Sequence, residues 1–222
     1  CMQTTTLGTG ELIADCISRG AKEIILGIGG SATNDGGMGM AKALGYRFFD
    51  KNGQDLKPLG KNLIKVHHIS SKNVNLKVKD ISFKIACDVK NPLFGPNGST
   101  MVYAPQKGAS KIDLEFLEYG MKSYAKILEK KFGIDIQKIP GSGAAGGMGA
   151  AGLTFLKGKL TPGIDLMKEI ADFDEAIYGA DWIITGEGKL DAQTLSGKTI
   201  KGVLDSARRQ QLEGIVECAN KI

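Results

Sequence analysis

The amino-acid sequence predicts an α/β fold with a largely parallel sheet. Short apolar runs of strand length alternate with stripes of helical period, and polar or glycine-rich loops follow the strands. Glycine is the third sign: 31 of 222 residues, gathered mainly in those loops. Such clusters mark backbone at positive φ, or backbone that a partner must approach closely. In parallel α/β sheets, ligands collect where the strands end.

Thr9 is the predicted cap of a first helix running to about Arg19, with Leu12, Ile13, Cys16 and Ile17 on one face and Gly20 as its stop. Residues 22–28 read as an apolar strand leading into the glycine-rich stretch 29–39. A short helix closes over 40–44, and 46–50 reads as a strand ended by the turn Lys51-Asn52-Gly53. Residues 54–80 are polar, with weak strand signals over 63–69. Strands are predicted over 81–89 and 100–104. Ser110 caps the longest helix, to about Phe132, because Leu114, Leu117, Met121, Tyr124 and Leu128 recur three and four residues apart. A second glycine-rich stretch covers 140–152. Residues 164–178 read as helix in one or two pieces, 182–185 as a buried strand, 186–197 as a polar loop and 199–210 as a helix.

Hydrophobic residues at 42% and charged residues at 24% suit an ordinary globular core. The net charge of +5 comes from scattered lysines without interleaved aromatics, so a small anion fits better than nucleic acid. No apolar run has the length of a membrane span, and no signal-peptide pattern opens the chain. Cys1, Cys16, Cys87 and Cys218 lie far apart, so a reducing cytoplasm is expected rather than a disulfide framework. His67 and His68 are adjacent and cannot share one helix face, which leaves a zinc site little to work with.

Five segments carry the candidate chemistry. Residues 27–37 (GIGGSATNDGG) follow a strand; Gly29, Gly30 and Ser31 offer backbone donors, with Asn34 and Asp35 among the glycines. Residues 86–93 (ACDVKNPL) place Asp88 and Asn91 at a strand end, either as an Asx turn before Pro92 or as groups that orient a hydroxyl or metal. Lys107, in Pro105-Gln106-Lys107-Gly108, suits a phosphate or carboxylate. Residues 140–150 (PGSGAAGGMGA) can cradle an anion through backbone at Gly146 and Gly147, or pack closely through small residues. Residues 185–199 bring Glu187 and Asp191, suited to Mg²⁺ or a hydroxyl, and Lys198 at a helix start, suited to phosphate.

Two sharper motifs fall short. The first segment contains GxGxxA, and the strand over 46–50 ends in an acid, as in a dinucleotide fold. Asp35 would however repel a pyrophosphate, so an NAD-dependent dehydrogenase is a lesser alternative. Residues 192–199 miss a Walker A loop because Ala192 stands at the first glycine. Glycine loops, carboxylates and isolated lysines without a nucleophile–histidine pair are the inventory of phosphoryl transfer. A non-catalytic α/β module that binds a nucleotide or organic acid is the rival.

Taken together, GIGGSATNDGG, ACDVKNPL, PQKGA, PGSGAAGGMGA, PGIDL, DWIITGEGKLD and SGKT, in this order, resemble the bacterial glycerate kinase family. The match runs from about Thr5 to about Ala207. The resemblance implies ATP- and Mg²⁺-dependent phosphorylation of D-glycerate, with 2-phosphoglycerate the favoured product, and leaves room for a homodimer. It implies two α/β domains, a flavodoxin-like one formed from both chain ends and another inserted into it. Residues 1–180 then look like the inserted substrate and catalytic domain, and 181–222 like the start of the returning half, with 215–222 a first strand. Family members are longer, beginning with a strand and an Asp-Ser-Phe-Lys loop absent here, so the isolated 222 residues are expected to be inactive or nearly so. The implied roles are base and Mg²⁺ ligation among Asp35, Asp88, Glu187 and Asp191, with charge neutralisation by Lys107 and Lys198. Asn34 and Asn91 would orient hydroxyls. Replacing Asp191 with Asn in the natural protein should lower kcat by about 10²-fold or more, and steady-state kinetics checks this.

Overall fold

A computed structural model describes residues 1–187 and 199–218, with backbone alone for Glu187 and for 213–218. The chain divides into two compact units, Cys1–Leu160 and Thr161–Ile222.

In the first unit, helix α1 (Leu7–Ser18) precedes strand β1 (Glu23–Gly27). Strand β4 (Ser82–Ala86) lies parallel beside β1, paired from Glu23↔Ser82 to Gly27↔Ala86, and the short β5 (Lys159–Thr161) completes the order β1-β4-β5. Parallel pairing in that register brings the loops after Gly27 and Ala86 out side by side. Strands β2 (Arg47–Phe49) and β3 (His68–Ser70) form a separate antiparallel pair. β1 therefore has β4, and not β2, as its parallel neighbour. The strand–helix–strand unit that a dinucleotide fingerprint needs is missing at residues 27–50.

Helix α2 (Met38–Ala43) follows the glycine loop, and the long α4 (Lys111–Phe132) bears out the predicted apolar stripe. Leu117, Met121, Tyr124 and Leu128 have no exposed surface, each worth about 1.5–3 kcal/mol in burial. Ser110 and Asp113 form a reciprocal capping box at its start, and Gly133 takes the left-handed conformation that ends it. Tyr46, Phe132 and Phe155 of helix α5 (Ala144–Phe155) meet edge to face, with ring centroids 4.8 Å apart for Tyr46–Phe155 and 5.2 Å for Phe132–Phe155.

Some predicted elements are corrected. Residues 100–104 are not a strand: helix α3 (Ser99–Tyr103) occupies them and packs against α4 and α5. Their β-branched residues suited a strand locally, and tertiary packing overrode that preference. Lys107 consequently ends a 3-10 turn (Pro105–Lys107) rather than following a strand. The first helix starts a turn early, with Thr6 as cap, and its hydroxyl serves another partner. Within 63–69 a 3-10 segment (Gly60–Lys65) precedes β3.

In the second unit, α6 (Gly163–Ile170) and α7 (Phe173–Ala176) are the two predicted pieces, broken at Asp172, a non-glycine residue at φ 45°. Strand β6 (Trp182–Glu187), helix α8 (Thr199–Arg209) and strand β7 (Glu213–Cys218) form a parallel strand–helix–strand unit, with Ile177, Ile183 and Ala207 in its core. Among the described residues no helix is long and apolar enough to cross a membrane.

Close packing sets a clear expectation at Gly37. A Cβ there would lie 2.1 Å from the Cβ of Ala151, and the residue sits at φ 70°. Gly37→Ala should cost about 2–4 kcal/mol from overpacking and left-handed strain, read as a lowered denaturant midpoint.

Candidate active site

The site starts from the two parallel strand ends. Residues 28–33 leave β1, with Gly30 at φ 67°, and Cys87 and Asp88 leave β4. These loops, together with Tyr103, Lys107 and Ala145, line a cleft of about 240 Å³. Among the described residues, Asp88 is its one lining carboxylate and Lys107 its one lining ammonium.

Lys107 is held against the glycine loop. Its Nζ donates to Ser31 Oγ at 2.8 Å and to the Thr33 carbonyl at 2.9 Å. Burial lowers its pKa from the ordinary lysine value, and the charge of Asp35 opposes that shift. The loop's shape and the placement of the ammonium thus depend on each other.

Asp35 lies beneath the loop with no exposed surface and does not line the cleft. Its Oδ2 accepts from Thr6 N at 2.8 Å, Thr6 Oγ1 at 2.9 Å and Gly39 N at 3.2 Å, while Oδ1 accepts from Gly37 N at 3.1 Å. Burial pushes its pKa up, against the downward pull of those hydrogen bonds. Asp35, expected among the catalytic acids, thus has its carboxylate surrounded by the protein's own donors.

The remaining expected residues separate in the same way. Gly29, Gly30, Ser31, Asp88 and Lys107 share the cleft. Asn34 is fully buried and donates from Nδ2 to Thr100 Oγ1 at 3.1 Å. Asn91 donates to the Asn97 carbonyl at 2.8 Å and accepts the Tyr103 hydroxyl at 2.6 Å, so it holds Tyr103 rather than lining the cleft. Gly146 and Gly147 are buried packing positions: a Cβ would lie 2.0 Å from the Thr33 carbonyl oxygen at Gly146 and 2.7 Å from the Gly36 Cα at Gly147. Of the two roles expected for this stretch, the close backbone approach is the one seen here, and the Gly146 carbonyl accepts from Gly36 N at 2.9 Å. The side chain of Glu187, and Asp191 and Lys198 entirely, lie outside the described residues.

Tyr103, Gln106 and Ala145 line the cleft unforeseen. Gln106 adjoins Lys107 and could have been read with it. Ala145 was hidden because it takes φ 53°, ψ 46°, a left-handed conformation costing about 1–2 kcal/mol for a non-glycine residue. Strain of this kind concentrates at functional sites.

Charge and geometry define an α/β protein whose strand-end cleft offers backbone donors, one carboxylate and one ammonium to a small polar ligand. Comparisons with known proteins make this specific. The glycerate kinase family model matches residues 1–221. A glycerate kinase from Bacillus cereus is 48% identical over 205 residues, 92% of this chain and 54% of the relative. A glycerate 2-kinase from Escherichia coli is 42% identical over 206 residues, 93% of this chain and 54% of the relative. A solved structure from Salmonella typhimurium LT2, named as a glycerate kinase 2, superposes with a TM-score of 0.89 at 39% identity, covering 99% of this chain and 59% of that one. The chain belongs to the glycerate kinase family. It spans about half the length of the curated relatives it matches.

Bracing and cleft residues should respond differently to substitution. Asp35→Asn turns one acceptor into a donor facing buried N–H or O–H groups, at about 3 kcal/mol, or roughly 6–12 °C in thermal midpoint. At Gly29 a Cβ would meet nothing within 4 Å, so Gly29→Ala should change stability by no more than about 1 kcal/mol. Its effect should appear in ligand titrations, as a methyl added to the cleft wall.

Proposed function

We propose that these residues form part of an ATP-dependent glycerate kinase acting on D-glycerate, with 2-phosphoglycerate as product. The observation that carries the reading is Lys107, fixed to the glycine loop in the strand-end cleft that Asp88 also lines. Family membership supports the reaction, and the name of the E. coli relative supports the 2-position.

Phosphoryl transfer asks a protein mainly to position groups and balance charge. Lys107 balances negative charge on a phosphoryl or carboxylate group, and the backbone of Gly29 and Gly30 supplies further donors. Asp88 is placed to accept the proton of the attacking hydroxyl or to hold a cation. Among the described residues no group of three His, Cys, Asp or Glu could hold a metal alone. Mg²⁺ commonly takes one or two carboxylates plus the nucleotide's phosphates, and Asp88 fits that pattern. When bound, Mg²⁺ would neutralise phosphate charge. Thr6 and Asp35 keep the loop in shape without touching substrate. In this reading residues 1–180 form the inserted substrate domain and 181–222 begin the returning half of a flavodoxin-like domain.

ATP consumption by the natural protein containing these residues, with and without D-glycerate, tests the reading against a binding module. Acid-dependent consumption is expected; equal consumption contradicts it. Lys107→Ala should lower kcat by about 10²-fold or more, and a change under about fivefold in both kcat and KM removes Lys107 from the site. Since burial depresses the Lys107 pKa, its ammonium is lost at lower pH than an ordinary lysine's. Activity should therefore fall as pH rises into that range, and Lys107→Arg, always charged, should flatten that limb in a pH–rate profile.

A further inference from the structure

We propose a second anion-binding site in a hollow next to the cleft, also lined by the glycine loop and built of hydroxyl donors. It rests on the reading of the neighbouring cleft and says where an anionic group of that ligand sits. A separate hollow of about 240 Å³ shares Ile28, Gly29, Ser31 and Ala145 with the cleft. Thr5, Thr6, Thr9 and Thr33 line it too, and among the described residues no carboxylate does.

The hydrogen bonds already made decide what these hydroxyls can do. Thr5 Oγ1 accepts from Leu7 N at 3.2 Å, and Ser31 Oγ accepts from the Lys107 ammonium at 2.8 Å. Each of those oxygens has a filled acceptor position, which leaves its O–H to donate elsewhere. Thr33 Oγ1 is shielded from solvent and has no partner. The Thr9 hydroxyl has no hydrogen-bond partner among the described residues. Thr6 is the exception, its hydroxyl given to Asp35. Four hydroxyls with protons to give, behind them an ammonium on Ser31 and on the Thr33 carbonyl, favour a ligand rich in acceptor oxygens. A carboxylate or a phosphoryl group has that chemistry. The cleft, which Asp88 lines, suits the hydroxyl end of the same ligand.

Thr9→Val and Thr33→Val keep side-chain shape and remove one donor each; Thr9→Ser keeps the donor. Titration calorimetry of the 222-residue chain with D-glycerate, inorganic phosphate and ATP separates the sources. Each Val variant should weaken at least one probe about tenfold, with Thr9→Ser near wild type. Thr33→Val should melt no lower than wild type, since it removes an unpaired shielded hydroxyl. Loss for D-glycerate alone names the carboxylate, and loss for phosphate and ATP names the phosphoryl group. Affinities within twofold of wild type for all three probes, or no binding by the wild type, overturn the site. Threonine-dependent binding by this chain, together with ATP consumption by the natural protein that D-glycerate does not raise, contradicts the kinase reading and leaves the site standing.

Discussion

One buried carboxylate organises the first unit's functional edge. Asp35 gathers four hydrogen bonds from the start of α1 and the start of α2, beneath the loop that leaves β1. Thr6 extends the link, because its hydroxyl also accepts from Met40 N at 2.9 Å. An ionised group without those donors would be too costly to bury, and the donors without the carboxylate would be left unpaired. Carboxylate and loop therefore hold each other in place.

Above that brace, parallel strand pairing does the positioning. Because Gly27 and Ala86 are register partners, the glycine loop and Asp88 emerge together. Helix α3 and the 3-10 turn after it bring Tyr103 and Lys107 to the same edge. The glycine loop lines two hollows of different character. One has a carboxylate and an ammonium, and the other has hydroxyls alone as polar side chains. A small hydroxy acid carries both matching ends.

Much of this could be read from the chain. The Ser110 capping box, the α4 stripe and the loops after two strands are local patterns, and local patterns survive folding. Gly29, Asp88 and Lys107 were identifiable because each is a chemical residue at a strand end or turn. What stayed hidden depends on tertiary contact. Asp35 reads as an active acid until the donors of Thr6 and Gly39 are seen around it. Asn91 reads as a ligand until Asn97 and Tyr103 are seen to occupy its amide. Thr5 and Thr9 carried no signal, since threonines before a helix look like caps. Gly146 and Gly147 illustrate an ambiguity sequence cannot resolve: close packing and anion binding both demand glycine.

The most direct measurement is a backbone amide NMR titration of the chain with D-glycerate and a non-hydrolysable ATP analogue. The largest shift changes are expected over residues 28–33, at Asp88 and around Lys107, with Asp35 and its partners following only weakly. Changes concentrated elsewhere, leaving the glycine loop and Lys107 unmoved, would contradict that expectation.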